Sequence, residues 1–294
     1  MQKHFLVTIS SNSDNLSGVR FVSSFFNNVE EHLVTLLHIC RLDCDKMTKS
    51  LTEMWQNPET KNVCQLTGGL KRSLDRAQEL LGQGNFSIER TITKTAVERY
   101  GKVKDILTEG SQGCYDAIVL GKRASYTLQW MFERPAEEVA QAMIRDSCCD
   151  VPLWICPESA PGRKNILACV DGSTQGYRAV DHVGFILAGE NQHSITLMHV
   201  NNNTTRESAE IFARAEAILH GHNIGDERIH HRSTRGVSVA GAIQSEGEKG
   251  GYAAVALGMH GSLEKGLLKD YILAGGTTAK LIGRMEKTAL WCCP

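Results

Sequence analysis

Tyr115–Gly121 reads YDAIVLG, and Tyr252–Gly258 reads YAAVALG. At the same distance beyond each run comes a second matching pair, VPLWICP from Val151 and TALWCCP from Thr288. Two further pairs precede them in the same order, HFLVTIS with KNILACV and LVTLLHI with SITLMHV. Four matched apolar runs in one order indicate two copies of one fold rather than a short-period repeat.

The matched runs are strand candidates. They are nearly continuous in Val, Ile and Leu, which is typical of parallel strands that are covered on both faces. Apolar residues at helical spacing predict helices at 18–31, at 66–81 and from Ser208 onward. Strands that alternate with helices favour an α/β fold with a parallel sheet in each copy.

The chain length fits two domains, because 294 residues is about twice a common domain size. PESAPGR, from Pro157 onward, carries two prolines and a glycine where the copies meet. We therefore predict domains at 1–157 and 164–294, joined by a linker at 158–163. The long polar stretch at 40–65 is interpreted as a surface loop.

Composition excludes several classes of protein. A net charge of −1 argues against a nucleic-acid partner. The apolar runs are too short to span a membrane, and the N-terminus enters a strand without a secretory leader pattern. The ten cysteines include no CxxC pair, so reduced structural thiols and a cytoplasmic location are expected, with no metal site.

Asp171-Gly172-Ser173 follows the first strand of the second copy. Ligands of open parallel sheets bind beyond the carboxyl ends of the strands. Asp171 could accept a hydrogen bond from a ligand there, or it could serve only to cap the next helix. Local sequence leaves both readings open.

Two glycine-containing segments follow the YAAVALG strand. Gly258-Met259-His260-Gly261-Ser262 comes directly after it, and Gly276-Thr277 precedes a helix pattern. Small residues at a strand-to-helix turn let backbone amides approach a phosphate. An isolated GxxG is more often a plain turn, but its position after a parallel strand favours the phosphate reading.

Taken together, these residues resemble the universal stress protein family over nearly the whole chain, as a tandem pair. The resemblance implies two five-stranded α/β domains of the adenine nucleotide alpha hydrolase-like type with strand order 3-2-1-4-5. It also implies binding of ATP, ADP or AMP, and association of domains through their last strands. VPLWICP and TALWCCP would then lie together as an intramolecular pseudo-dimer, while further association into homodimers is left open.

Transferred to this chain, the resemblance places Asp171 and Val200 near adenine and ribose. The residues placed around the phosphates are Gly258, Gly261, Ser262, Gly276 and Thr277. The spacer between Gly261 and Gly276 is longer than is typical of the family.

The first copy departs further from the family motif. Ser11 is aligned with Asp171, Ala124 with Gly261, and Val139 and Ala140 with Gly276 and Thr277. Side chains at these positions would crowd a phosphate. We therefore expect a degenerate first site and a nucleotide site in the second domain.

Three functions follow as hypotheses. The first is a stress-response or regulatory protein that binds an adenine nucleotide, with an unidentified protein partner and no catalytic residues. The second is slow ATP hydrolysis or phosphoryl transfer, with Mg²⁺ held by phosphate oxygens and Asp171. The third is a protein-interaction scaffold that binds no nucleotide.

Histidine and tryptophan also recur at matched positions. His38 and His199 lie inside the second strand of each copy, where a hydrogen-bonded core role is favoured over a ligand role. Trp154 and Trp291 lie in the matched final strands. Packing is the expected role of both tryptophans, with a domain interface as the alternative.

Overall fold

The computed structural model describes residues 1–40, 67–121, 151–158, 162–201, 208–236, 238–259 and 277–294. The stretch at 40–65 thus lies almost entirely outside the described residues. The described strands are β1 His4–Thr8, β2 Leu33–Cys40, β3 Thr91–Val97, β4 Ala117–Gly121, β5 Leu153–Cys156, β6 Ile166–Cys169, β7 Ile195–Asn201, β8 Ile229–Arg235, β9 Ala254–Gly258 and β10 Ala289–Cys293. The described helices are α1 Ser17–Phe25, α2 Gly68–Gln83, α3 Lys102–Gln112, α4 Thr174–Leu187, α5 Ser208–Gly221, α6 Val239–Lys249 and α7 Thr277–Arg284.

The predicted helices are present, with one marked difference in length. The helix predicted to reach residue 31 ends at Phe25, because Phe26 adopts an extended backbone conformation. α2 begins after Thr67, whose side chain accepts a hydrogen bond from the Leu70 amide. α5 begins at Ser208 as predicted and buries Ile211, Phe212, Ala215 and Leu219.

All ten strands form one sheet in the order β3-β2-β1-β4-β5-β10-β9-β6-β7-β8. Each half therefore has the predicted order 3-2-1-4-5 with parallel neighbours, and the fold class is confirmed. The halves join through β5 and β10, which pair antiparallel. The prediction that the two final strands lie together is confirmed by this pairing. The domain boundaries themselves stay predictions.

Apolar side chains cover both faces of the sheet. On one face α1, α2, α4 and α5 pack over a cluster that runs through both halves. On the other face α3, α6 and α7 pack over a second cluster. Since side chains of a strand alternate between faces, near-continuous apolar strands are what two covered faces require.

Two stacked indole rings lie at the junction of the halves. Trp154 and Trp291 face each other across the β5–β10 pair, with ring centroids 4.1 Å apart and planes 5° apart. Both side chains are completely buried. Phe21 from α1 and His182 from α4 contact both rings edge-on. Packing and a domain interface, the two roles expected for these tryptophans, are therefore combined.

The surroundings of the two indoles differ in one polar contact. Trp154 Nε1 donates a hydrogen bond to His182 Nε2 over 3.0 Å. Phe21 lies in the matching position of the first half and offers no acceptor, and Trp291 Nε1 is buried without a partner in the described residues. Burial lowers the pKa of His182 to about 3, which agrees with its role as a neutral acceptor.

A buried carboxylate also joins the halves. Glu190, in the loop after α4, is 1% exposed. It accepts hydrogen bonds from the backbone amides of Asn27 and Asn28, over 2.9 and 3.2 Å. Phe25 stacks on His193 with centroids 4.2 Å apart. Satisfied polar groups of this kind fix how α1 meets the second half, because the buried charge would be costly without them.

Candidate functional site

The carboxyl ends of three neighbouring strands bring together the predicted adenine and ribose residues. β6 pairs with β7 through Cys169 and Met198, and with β9 through Ala168 and Ala256. Asp171, Val200 and Gly258 lie at or just beyond these strand ends, and each is half-buried. Val200 and Met259 pack against the same apolar cluster, so they lie on one side of the sheet.

Asp171 forms the turn that starts α4. Its Oδ1 accepts hydrogen bonds from the Ser173 amide at 2.9 Å and the Ser173 hydroxyl at 2.5 Å. Ser173 Oγ in turn accepts from the Gly176 amide and is the helix cap. Gly172 has φ of 80°, a conformation that favours glycine. Asp171 Oδ2 has no hydrogen-bond partner among the described residues, so one carboxylate oxygen is available to a ligand.

The sequence predicted, as the alternative to a ligand role, a helix cap within Asp171-Gly172-Ser173, without deciding between Asp171 and Ser173 as the capping residue. The structure separates the two roles, because Ser173 caps the helix and Asp171 orients Ser173. The signal was present in the sequence, since an Asp-x-Ser triplet directly before a helix pattern is a common local hydrogen-bonding motif.

Gly258 is required by a close approach of two elements. A Cβ built at Gly258 would lie 2.7 Å from the backbone carbon and the Cβ of Gln175, in the first turn of α4. A Cβ built at its counterpart in the first half, Gly121, would have a looser contact, 3.0 Å from the Ser17 hydroxyl oxygen. Glycine at this position therefore lets the start of α4 lie directly against the end of β9.

We expect Gly258→Ala to lower the free energy of unfolding by about 1–3 kcal/mol, because the helix must move away from the strand. Urea unfolding measured by circular dichroism checks this. Gly82→Ala is the matched control, since a Cβ at Gly82 in α2 meets nothing within 4 Å. The control should be neutral or stabilising by up to about 1 kcal/mol. Equal effects of the two substitutions would contradict the packing role.

The start of α7 returns to the same edge of the sheet. Thr278 Oγ1 donates a hydrogen bond to the Gly258 carbonyl over 3.1 Å. Thr277 is the first residue of α7 and is half-buried. This contact brings one end of the predicted phosphate segment close to Gly258. Gly261, Ser262 and Gly276 lie outside the described residues.

The two recurrent histidines hold the turn after the first strand of each half. His199 Nδ1 lies 2.8 Å from the Val170 carbonyl oxygen, and His38 Nδ1 lies 3.0 Å from that of Ile9. His199 is fully buried and His38 is 9% exposed. The prediction of a hydrogen-bonded core role is confirmed for both residues.

These contacts correct the alignment of the two copies at one position. Val170 corresponds to Ile9, so Asp171 corresponds to Ser10 and not to Ser11. Strand register agrees, because Phe5 pairs with Ala117 as Ile166 pairs with Ala254. Ser10 Oγ also accepts from the Asn12 amide, as Asp171 does from Ser173. The other predicted counterparts, Ala124, Val139 and Ala140, lie outside the described residues.

Metal and thiol chemistry find little support in the described residues. In that part of the chain, no three His, Cys, Asp or Glu side chains are grouped so as to hold a metal ion. Five cysteines there carry free thiols: Cys114, Cys156, Cys169, Cys292 and Cys293. Burial raises the pKa of the Cys292 thiol to about 12, so it stays neutral. The expectation of free thiols throughout is wrong at Cys40, which is disulfide-bonded.

A family model matches the part of the chain that contains this site. The match is to the universal stress protein family and covers residues 162–290. Residues 162–290 therefore form a universal stress protein domain. The N-terminal half has the same strand order, so two copies of one fold are present in tandem.

Solved structures of universal stress proteins are similar to this chain to different degrees, and the first of them shares its fold. One from Archaeoglobus fulgidus DSM 4304 is 14% identical, with 99% of this chain and 95% of that chain covered and a TM-score of 0.57. A universal stress protein in complex with cAMP is 18% identical over 44% of this chain and 95% of its own, with a TM-score of 0.36. One from Lactobacillus plantarum is 15% identical over 44% and 97%, with a TM-score of 0.31.

Two negative findings complete the comparisons. No curated protein matches this chain. Among the described residues, no helix has both the length and the apolar character that crossing a membrane would require.

Proposed function

We propose that the C-terminal universal stress protein domain binds an adenine nucleotide at the carboxyl edge of its sheet, and that the chain acts as a regulator in a stress response. Asp171 and Val200 contact adenine and ribose. Gly258, Gly261, Ser262, Gly276 and Thr277 contact the phosphates. Adenine nucleotides with one to three phosphates are the proposed ligands, and Mg²⁺ arrives with the phosphates.

The observation that carries this proposal is the convergence of Asp171, Val200, Gly258 and Thr277 at one edge of the sheet. Parallel neighbours β6, β7 and β9 bring the first three residues together. The hydrogen bond from Thr278 to Gly258 adds the start of α7. Ligands of open α/β sheets bind at such an edge, beyond the carboxyl ends of the strands.

The polar and apolar parts of the edge suit a nucleoside. Asp171 Oδ2 can accept a hydrogen bond from a ribose hydroxyl or an amino group, while Oδ1 stays fixed by Ser173. Val200 and Met259 offer half-buried apolar surface to a base. A carboxylate that is held in place loses little conformational freedom on binding, which favours affinity.

The first test of this function is to identify the small molecules that heat denaturation releases from the purified protein. We expect mass spectrometry to detect an adenine nucleotide, and calorimetry on the emptied protein to show binding of ATP, ADP, AMP or cAMP. Absence of any released nucleotide, together with no heat for all four ligands, would contradict the proposal and favour the scaffold.

Asp171→Asn tests the site itself. Asparagine keeps an Oδ1 acceptor for Ser173 but lacks the negative charge, so the turn survives while the ligand contact weakens. We expect the dissociation constant for the nucleotide to rise by a factor of about 10–100, as for loss of a hydrogen bond to a charged group. Asp226→Asn is the control, since Asp226 is an exposed carboxylate before β8, at the opposite edge of the sheet. The control should bind normally.

We further propose the cytoplasm as the location of this regulator. The five free thiols support a reducing compartment. The disulfide of Cys40 is the observation against it. Thiol titration of protein extracted under acid quenching measures whether Cys40 is reduced in the cell. A reduced Cys40 would support the cytoplasm, and an oxidised Cys40 would contradict it.

A further inference from the structure

A cavity lies between the two halves, away from the carboxyl edge of the sheet where the nucleotide is proposed to bind. It has a volume of about 390 Å³ and is bounded by α1 on one side and the amino ends of β9 and β10 on the other. Sites for small molecules have volumes of about 300–1,000 Å³. The apolar residues that line it are Phe21, Phe25, Leu80, Pro157, Ala253 and Ala289.

The charged residues that line this cavity are all cationic: Arg20, Arg163, Lys164 and Lys287. Among the described lining residues there is no Asp or Glu. Arg163 is half-buried, and its guanidinium donates to the carbonyls of Gly247 and Glu248 rather than to a carboxylate. Carbonyl partners do not cancel its formal charge, so the described residues that line the cavity carry an excess of positive charge.

Two of the cations are free to meet a ligand. Lys164 and Lys287 are exposed, and neither forms an ion pair within the described residues. Arg20 differs, because its Nη1 lies 2.9 Å from Glu158 Oε1 in an exposed pair. The two lysines are therefore the groups that an anion would reach without displacing a protein partner.

The internal repeat provides a control for this cavity. A related cavity of about 470 Å³ lies where α4 meets the amino ends of β4 and β5. Phe185 there corresponds to Ser24, Asp181 to Arg20, Asp116 to Ala253 and Pro152 to Ala289, by the register of the two halves.

The related cavity has the opposite charge balance. Two carboxylates, Asp116 and Asp181, and one cation, Arg178, line it in the described residues. The shared fold thus produces a cavity at both places but does not dictate its charge. The cationic rim over an apolar floor is a property of the cavity beside α1 alone.

We propose that the cavity beside α1 binds an amphipathic monoanion of the fatty-acid class, with its carboxylate between Lys164 and Lys287 and its chain against Phe21, Ala253 and Ala289. The apolar floor excludes a polyanion, whose charged groups would lose water there without finding donors. A single carboxylate at the exposed rim keeps part of its hydration. Burial of the methylene groups then supplies most of the affinity.

Decanoate, used below its micelle concentration, is the probe. We expect calorimetric binding to the full chain, and at least tenfold weaker binding of decanol and of decyltrimethylammonium. Equal binding of the three ligands would overturn the anion requirement, and no binding of decanoate would overturn the site.

Three variants place the ligand in the cavity. The double substitution Lys164→Glu/Lys287→Glu should weaken decanoate binding at least tenfold. The control is Lys71→Glu/Lys249→Glu, which makes the same charge change at exposed positions of α2 and α6 and should leave binding unchanged. Ser24→Phe introduces the side chain of the related cavity at an exposed site and should block binding. Unchanged melting temperatures establish that the variants fold. Normal decanoate binding by folded Lys164→Glu/Lys287→Glu and Ser24→Phe variants would overturn the proposal.

Discussion

Replacing Trp154 with alanine is expected to lower the free energy of unfolding by about 3–5 kcal/mol, the cost typical of removing a fully buried tryptophan. The side chain is 0% exposed and stacks on Trp291 at the strand pair that joins the halves. Its removal leaves a cavity at the junction. It also leaves His182 Nε2 buried without its donor, which adds to the cost.

A double-mutant cycle with Trp291→Ala measures the coupling of the two rings. We expect an interaction energy of about 0.5–3 kcal/mol from urea unfolding, because residues in direct contact are not additive. Tyr100→Ala is the control, an exposed aromatic residue whose loss should change stability by about 0.5 kcal/mol or less. Additive single effects would show that the indoles stabilise their own halves and not the junction.

Much of the fold was predictable because the chain repeats itself. The four matched apolar runs, near-continuous in Val and Ile, could only form parallel strands covered on both faces. Pairing of VPLWICP with TALWCCP was predicted through the family resemblance, and the structure shows it with Trp154 opposite Trp291. The end of α1 at Phe25 was missed, since the apolar pattern continues through Phe26 and Val29, both buried in the following loop.

The site was predictable in outline but not in detail. Asp171, Val200 and Gly258 could be placed at one edge because each follows a parallel strand. The counterpart of Asp171 was misassigned to Ser11, because apolar runs of equal character can be aligned with a shift of one residue, and only strand register removes the ambiguity. The cavity beside α1 could not be predicted, because its residues come from distant segments of both halves.

Acid is expected to destabilise this protein well above the pH at which carboxylates titrate. Burial lowers the pKa of His182 to about 3 and that of His32 to about 4, against about 6.5 in the unfolded chain. The unfolded state therefore binds protons first as the pH falls below about 6.5. Each such histidine then costs about 1.4 kcal/mol of stability per pH unit until its folded pKa is reached.

His182→Phe isolates the contribution of His182, because phenylalanine is the residue found at the corresponding Phe21 of the first half. At pH 7.5 the variant should be less stable than the wild type by about 1–3 kcal/mol, since Trp154 Nε1 loses its acceptor. Below pH 6.5 the wild type loses stability through His182 and the variant does not. The difference should close by about pH 5 and reverse at lower pH.

Urea unfolding at half-unit steps from pH 7.5 to 4.5 measures this crossing. Ile88→Phe is the control, because Ile88 is 69% exposed and its replacement introduces phenylalanine without removing an ionisable group, so the slope of stability against pH should stay unchanged. His182 is buried at the contact between α4 and the tryptophan pair, so its protonation must separate the helix from the indoles. Parallel pH profiles for the wild type and His182→Phe would mean that His182 takes up a proton in the folded protein as readily as in the unfolded chain, which would contradict its lowered pKa.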